Sequence, residues 1–262
     1  MTSKAAFQNI VITGASSGIG AALAKFYARP GVTLGLTGRD PVRLGVVAAE
    51  VEAAGGTVVQ GLLDLRDRSA LTGFLTGFDA RHPVDLLIAN AGVLDGRHAD
   101  GVVEDAEIAR RVIEINLLGA VDTLHALLPA MRARRRGHIV LVSSLAALSP
   151  LPDAPAYSAS KAGLLSYGRA LRGAVAGEKI RVSVVCPGYV TSAMTETHIG
   201  NHPHKIGADE AARLIGAGIA RNKPVIGFPT QLYLLSLISP FFPEFVVRLA
   251  TKDIRFHVAP RD

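Results

Sequence analysis

A chain of 262 residues, 49% hydrophobic and only 19% charged, can bury a sizeable core, which excludes a disordered polymer. Its formal net charge of +6 admits an anionic partner: nucleic acid, a membrane surface or a phosphate-bearing cofactor. One cysteine, Cys186, excludes an internal disulfide and lies in an apolar run that reads as a buried strand. In chain order, Met1-Thr2-Ser3-Lys4 leads almost directly into Ile10-Val11-Ile12 without an apolar targeting segment, so a cytoplasmic location is expected. Strands are expected at 9–13, 33–37, 57–60, 85–89, 138–143, 180–185 and 224–227, with helices such as 19–29, 41–54 and 156–176 between them. This alternation implies right-handed βαβ crossovers, hence one α/β domain over residues 1–262 with a doubly wound, mostly parallel sheet. The strands are apolar throughout rather than alternating, as expected of strands covered on both faces.

The first strand runs into Thr13-Gly14-Ala15-Ser16-Ser17-Gly18-Ile19-Gly20, and a helical pattern follows at once. The glycines are spaced GxxxGxG. Lacking Cβ atoms, such a turn lets the backbone and a helix N-terminus approach a pyrophosphate, where free N–H groups and the helix dipole favour negative charge. A tight strand–helix turn needs glycines in any case. Its position after the first strand is what favours a Rossmann-like nucleotide site, with Ser16, Ser17 and Ile19 in the cradle. Folds of this kind that prefer NAD carry an acidic residue about 20 residues further on, against the ribose 2′-OH. Here the second strand ends in Gly38-Arg39-Asp40. A guanidinium at Arg39 suits a 2′-phosphate, so NADP is expected ahead of NAD, with a plain surface charge as the bland alternative. Asp40, before Pro41 and a helical pattern, reads as an N-cap.

Tyr157 and Lys161 stand at i and i+4 at the start of a helical pattern, on one face. A phenol ordinarily titrates near 10; a neighbouring ammonium favours the phenolate and makes it a usable acid–base group. Alone, such a pair is more often an amphipathic surface pair. The preceding strand, however, ends in Ser143-Ser144 at the carboxyl edge of the sheet, where open α/β folds bind ligands. The Ser144 hydroxyl can hold a substrate carbonyl there, or merely cap a loop.

TGASSGIG at 13–20, Asn90-Ala91-Gly92, Asn116, Ser144, YSASK at 157–161 and Pro187-Gly188 together resemble the short-chain dehydrogenase/reductase family, over about residues 8–195. The resemblance implies Tyr157 as general acid/base, Ser144 orienting a carbonyl, Lys161 holding the nicotinamide ribose and lowering the phenol, and Asn116 positioning a water in a proton relay. It further implies a cofactor cleft lined by Gly14, Gly18, Gly20, Asn90 and Gly92, with Asp64 and Leu65 at the adenine and Pro187, Gly188, Val190 and Ser192 around the nicotinamide. Ser192 takes the place of a common threonine, and Thr191 is its rival. Ser17 replaces a basic residue often found with NADP, which leaves Arg39 to carry that preference. Homodimers or homotetramers are common in the family.

Three further features have competing readings. The run 132–136 carries four arginines; it suits a nucleic-acid patch or the C-terminus of a helix, and the absence of interleaved aromatics favours the helix end. His198, His202 and His204 sit in the segment 190–215, read as a lid over substrate; without cysteines or a carboxylate set, no metal is expected. The apolar segment 229–262, with short helices expected at 231–239 and 244–250, can wall a greasy substrate pocket, pack at an interface or touch a membrane surface through Arg248, Lys252 and Arg255. The expected activity is hydride transfer between NADP(H) and a carbonyl/secondary alcohol pair on a bulky apolar small molecule. A cofactor-sensing protein on the same fold is the alternative, and nucleic acid is not expected as a partner.

Overall fold

The structure, a computed structural model, describes residues 7–97, 103–192, 198–200, 204–243 and 256–258. The elements run β1 (Asn9–Ile12), α1 (Gly18–Tyr27), β2 (Thr33–Gly38), α2 (Pro41–Ala53), β3 (Thr57–Leu62), α3 (Arg68–Arg81), β4 (Leu86–Ala89), α4 (Ala106–Ile113), α5 (Gly119–Arg134), β5 (Gly137–Val142), α6 (Pro155–Ala174), β6 (Ile180–Pro187), β7 (His198–Gly200), α7 (Ala208–Ala220), β8 (Val225–Phe228), α8 (Thr230–Ile238) and β9 (Phe256–Val258). Seven strands form one parallel sheet in the order β3-β2-β1-β4-β5-β6-β8, while β7 and β9 pair separately. Winding starts at β1 and reverses between β1 and β4. That switch point opens a crevice at the carboxyl ends of the strands, where such sheets bind ligands.

Apolar strand residues supply both layers of the core. Ile10, Ile12, Leu34 and Leu36 pack beneath α1, α2 and α7, while Val11, Leu87, Ile139 and Leu141 face α3, α5 and α6. The expectation of burial on both faces holds for the central strands and fails at β3. This strand, at the edge of the sheet beyond β2, leaves Thr57, Gln60 and Leu62 exposed.

Caps explain where several helices begin. Asp40 accepts from Arg43 N at 3.0 Å with Pro41 at the first helical position, as its sequence context suggested. Asp67 and Asp105 cap α3 and α4 in the same way. The helical run 106–134 is long and apolar enough to cross a membrane, but half of its most apolar window is buried inside this fold. It ends at Arg135, whose φ of 50° is left-handed. The arginines around this end are engaged: Arg132 with Glu178, Arg134 with Asp79, Arg136 with Asp85, and Arg135 with the Gly177 carbonyl. The run is therefore a tied-down helix end.

Within the segment 190–215 expected as a lid, the part from 208 onward belongs to a regular helix, Ala208–Ala220, that packs Ala211, Ala212, Ile215 and Ile219 into the core. His202 and the expected helix at 244–250 lie outside the described residues. Among the described residues no cluster of metal-ligating side chains occurs.

His138 is buried in β5, with Nε2 2.9 Å from the Ser183 hydroxyl, and burial pushes its imidazole down to about 3. An unfolded histidine titrates near 6.5, so below that pH the unfolded chain takes up a proton the folded chain refuses. Stability should be full above about 6.5 and decline towards pH 3, with a slope on the order of 1.4 kcal/mol per unit from this residue. His138→Gln keeps a partner for Ser183 and should lose less urea midpoint than the parent between pH 7 and 5. Equal losses would remove His138 as the cause.

Candidate active site

A cavity of about 840 Å³ fills the crevice at the switch point. Its floor is the glycine turn. Gly14 and Gly18 have φ of 67° and 55°, left-handed values that suit glycine. A Cβ on Gly20 would lie 2.2 Å from the Gly14 carbonyl oxygen and 2.6 Å from Asn90 Nδ2, so α1 can start this close to β1 only with glycine there. The turn is tied to the end of β4. The Thr13 hydroxyl accepts from the backbone N–H groups of Asn90 and Ala91, both at 3.1 Å, and Asn90 Nδ2 donates to the Thr13 and Gly14 carbonyls. Ser17, the N-cap of α1, makes no side-chain cap, and Ser17, Gly18 and Ile19 line the cavity. First-turn N–H groups of a helix left without a side-chain cap at a bare glycine surface are a ready seat for a pyrophosphate, so the residues present fit a dinucleotide.

At one end of the cavity stand Gly38, Arg39, Asp40, Arg43, Asp64 and Leu65. Arg39 is exposed and forms no ion pair among the described residues, whereas Arg43 pairs with Asp40 at 2.7 Å. Asp64 takes Arg66 at 2.8 Å, and the hydrogen bonds from Arg66 hold its carboxyl below the ordinary range.

At the other end the four candidate catalytic side chains converge from three places in the fold: α6, the end of β5 and the turn between α4 and α5. Tyr157 and Lys161 rise from the first turns of α6, with Lys161 Nζ 5.7 Å from the phenol ring centroid and donating to the Val142 carbonyl at 2.9 Å. Burial pushes Lys161 down to about 8, so it is still mainly a cation at neutral pH. Ser144 follows β5, its Oγ accepting from Ala146 N at 3.1 Å and donating to the Pro187 carbonyl at 3.5 Å, and its hydroxyl acts on the Tyr157 phenol. Sequence reasoning expected Lys161 to lower this phenol. In the chain itself burial dominates and raises it, and the opposing influence is the Ser144 hydrogen bond.

Asn116 sits in a π-helical turn, Glu114–Leu118, between α4 and α5. Such turns are rare and concentrate at functional sites. The wider turn aims the amide inward, where Oδ1 accepts from Val93 N at 2.7 Å and Nδ2 donates to the Val93 carbonyl and to Ser160 Oγ. Gly92 separates it from the lysine: a Cβ there would lie 3.1 Å from Asn116 Oδ1 and 3.3 Å from Lys161 Nζ.

Pro187, Gly188, Val190 and Ser192 close the cavity opposite the glycine turn. Gly188 N donates to the Phe228 carbonyl at 2.7 Å, and a Cβ on Gly18 would come within 2.9 Å of Ser192 Cβ. Thr191, the rival of Ser192, is exposed and does not line the cavity. The far wall is apolar: Val93, Leu94, Leu145, Leu151 and, from α8, Leu232. On the other side of α8, Leu234, Leu235 and Ile238 are exposed, as are Phe241 and Phe242 just beyond it.

The short chain dehydrogenase model matches residues 8–201. An uncharacterized oxidoreductase of Myxococcus xanthus is 36% identical over 250 residues, covering 95% of this chain and 98% of that protein. A ketoacyl reductase of Nostoc is 36% identical over 186 residues, 70% of this chain and 64% of that one. Two crystal structures share the fold. A metagenomic short-chain oxidoreductase in complex with NADP has TM-score 0.69 at 34% identity, and a Mycobacterium paratuberculosis short chain dehydrogenase bound to NAD has 0.73 at 26%; each covers 84% of this chain and 94% of the other.

The chain belongs to the short-chain dehydrogenase family. It is an NAD(P)-dependent oxidoreductase with a Rossmann-like sheet. Every site residue singled out from this short-chain dehydrogenase's sequence other than Gly20 and Asn116 lines the cavity, and those two sit directly beneath it against Gly14 and Gly92. Three residues escaped sequence reasoning. Thr13 lay inside the quoted motif, but only its hydrogen bonds to the end of β4 reveal its work. Arg43 looked like an ordinary helix residue, although a basic residue one turn beyond Arg39 was the available signal. Tyr189 lines the cavity directly after Pro187-Gly188, and burial pushes its phenol up to about 12.

Proposed function

We propose that this short-chain dehydrogenase reduces the carbonyl of a bulky apolar small molecule with NADPH, Tyr157 serving as the general acid/base. The observation that carries the reading is the convergence of Tyr157, Ser144 and Lys161 at the apolar end of a cavity whose other end presents Arg39, which forms no ion pair among the described residues. When bound, the cofactor supplies the hydride. Ser144 Oγ orients the carbonyl oxygen, and Tyr157 Oη gives that oxygen its proton as the carbon is reduced. A phenol raised by burial is protonated at neutral pH, as a general acid for reduction must be. Lys161 holds the ribose hydroxyls and stabilises the phenolate left behind. Asn116, across Gly92 from Lys161, positions the water through which that phenolate is reprotonated. Arg39 takes the 2′-phosphate.

The apolar-substrate reading draws support from Leu94, Leu151 and Leu232 on the far wall. It is tested with a panel of aryl, medium-chain aliphatic and cyclic ketones, aldehydes and the matching alcohols, assayed with NADPH and NADH. Faster turnover of large apolar ketones with NADPH is expected, and Leu232→Asn should raise KM for them by about tenfold, the worth of burying one such side chain. Cofactor binding with no turnover across the panel would refute the reading.

A further inference from the structure

The helix that carries Tyr157 begins in an unusual way. Its N-cap is Ala154, which has no side chain able to cap, although an N-cap is ordinarily Ser, Thr, Asp or Asn. The adjacent Asp153 has the right chemistry but is committed elsewhere: it is buried, with Oδ1 2.6 Å from Arg97 Nε, and its carbonyl accepts from Arg97 N. The missing acceptor arrives from a distant part of the chain. Glu104 is 9% exposed, and its Oε1 accepts from the backbone N–H of Ala156 at 2.5 Å, one residue before Tyr157. Gly96 presses on the same place, where a Cβ would lie 2.3 Å from the Asp153 carbonyl oxygen. Asp95, beside it, pairs with Arg111 of α4. Residues on either side of 98–102 thus withdraw the local cap and substitute their own carboxylate. Burial of that carboxylate raises its pKa, a cost that a serine at position 154 would have avoided.

We propose that Glu104 is a positioning residue for catalysis: by capping Ala156 it fixes the first turn of α6, and with it the distance from the Tyr157 hydroxyl to Ser144. The reach of the side chain is what matters here, because the acceptor must meet one particular N–H. The proposal rests on the assignment of Tyr157 as the proton donor.

The test compares Glu104→Gln, Glu104→Asp and Glu104→Ala with the parent and with Tyr157→Phe, using NADPH and the panel ketone the parent reduces fastest. Glu104→Gln keeps the acceptor at the same reach and should hold kcat close to the parent's. Glu104→Asp keeps the charge but is one methylene short, and like Glu104→Ala it should lose about tenfold to a hundredfold in kcat, the scale of an ångström-sized misplacement. KM and NADPH affinity, read by quenching of NADPH fluorescence, should not move, which separates lost positioning from general damage to the fold. If Glu104→Ala does not fold, the Gln and Asp variants decide. Parent-like kcat in Glu104→Asp, a Glu104→Gln as slow as Glu104→Asp, or a loss of NADPH affinity in step with kcat would each overturn the proposal. An active Tyr157→Phe would instead show that the underlying assignment of the proton donor is wrong.

Discussion

Tyr157→Phe should lower kcat by about 10²–10⁴, the usual worth of a positioned acid–base group, while leaving NADPH affinity nearly intact. The substitution deletes one oxygen from a ring that is 8% exposed and changes little else. The neighbouring Ser144 keeps the Ala146 N–H at 3.1 Å and the Pro187 carbonyl at 3.5 Å, so its hydroxyl is not orphaned and the melting temperature should hardly change. The cofactor seat is built from the glycine turn, Asn90 and Pro187-Gly188, none of which depends on the phenol oxygen. Steady-state rates with the best panel ketone and fluorescence titration with NADPH separate the two properties. A variant with parent-like turnover would transfer the proton donation to another group.

Arg39→Ala should weaken NADPH binding by about tenfold to a hundredfold, because a hydrogen bond to a charged group contributes about 1.5–3 kcal/mol. NADH, which has no 2′-phosphate, should bind nearly as before. Arg39 is exposed, so salt screens it, and the difference between parent and variant should narrow as ionic strength rises. Arg43 is at the same end of the cavity but is held by Asp40 at 2.7 Å, and that carboxylate offsets most of its charge. It therefore replaces Arg39 poorly. Isothermal titration with both cofactors at two salt concentrations checks all of this. Equal losses for NADPH and NADH would refute a 2′-phosphate role.

The fold was legible because burial in a parallel sheet demands continuous apolar strands, and every strand of the main sheet expected from such a run is present. The two edge strands depart, β3 with Thr57, Gln60 and Leu62 exposed and β8 with Val225 and Gly227 half-buried, since edge position is a property of the assembled sheet. The site was legible where one short motif carries a whole function, as in the glycine turn or the Tyr157–Lys161 pair. It was illegible where function depends on residues brought together from afar. The bond from Ala156 to Glu104 spans 52 positions, and nothing at either end announces the other. The rise of the Tyr157 pKa belongs to the same class, because burial is set by packing whereas the neighbouring lysine is visible as i+4. The inward aim of Leu232, with Leu234 and Leu235 outward, likewise depends on where α8 lands.

The ties between Thr13, Asn90 and the glycine turn cross the switch point of the sheet, where the two halves of a doubly wound fold diverge. These ties hold the two halves together at the crevice and oppose their opening about it. The seat for the dinucleotide thus stands ready before any ligand arrives, and little binding free energy is diverted into shaping it. The far wall, to which α8 contributes Leu232, lies apart from these ties.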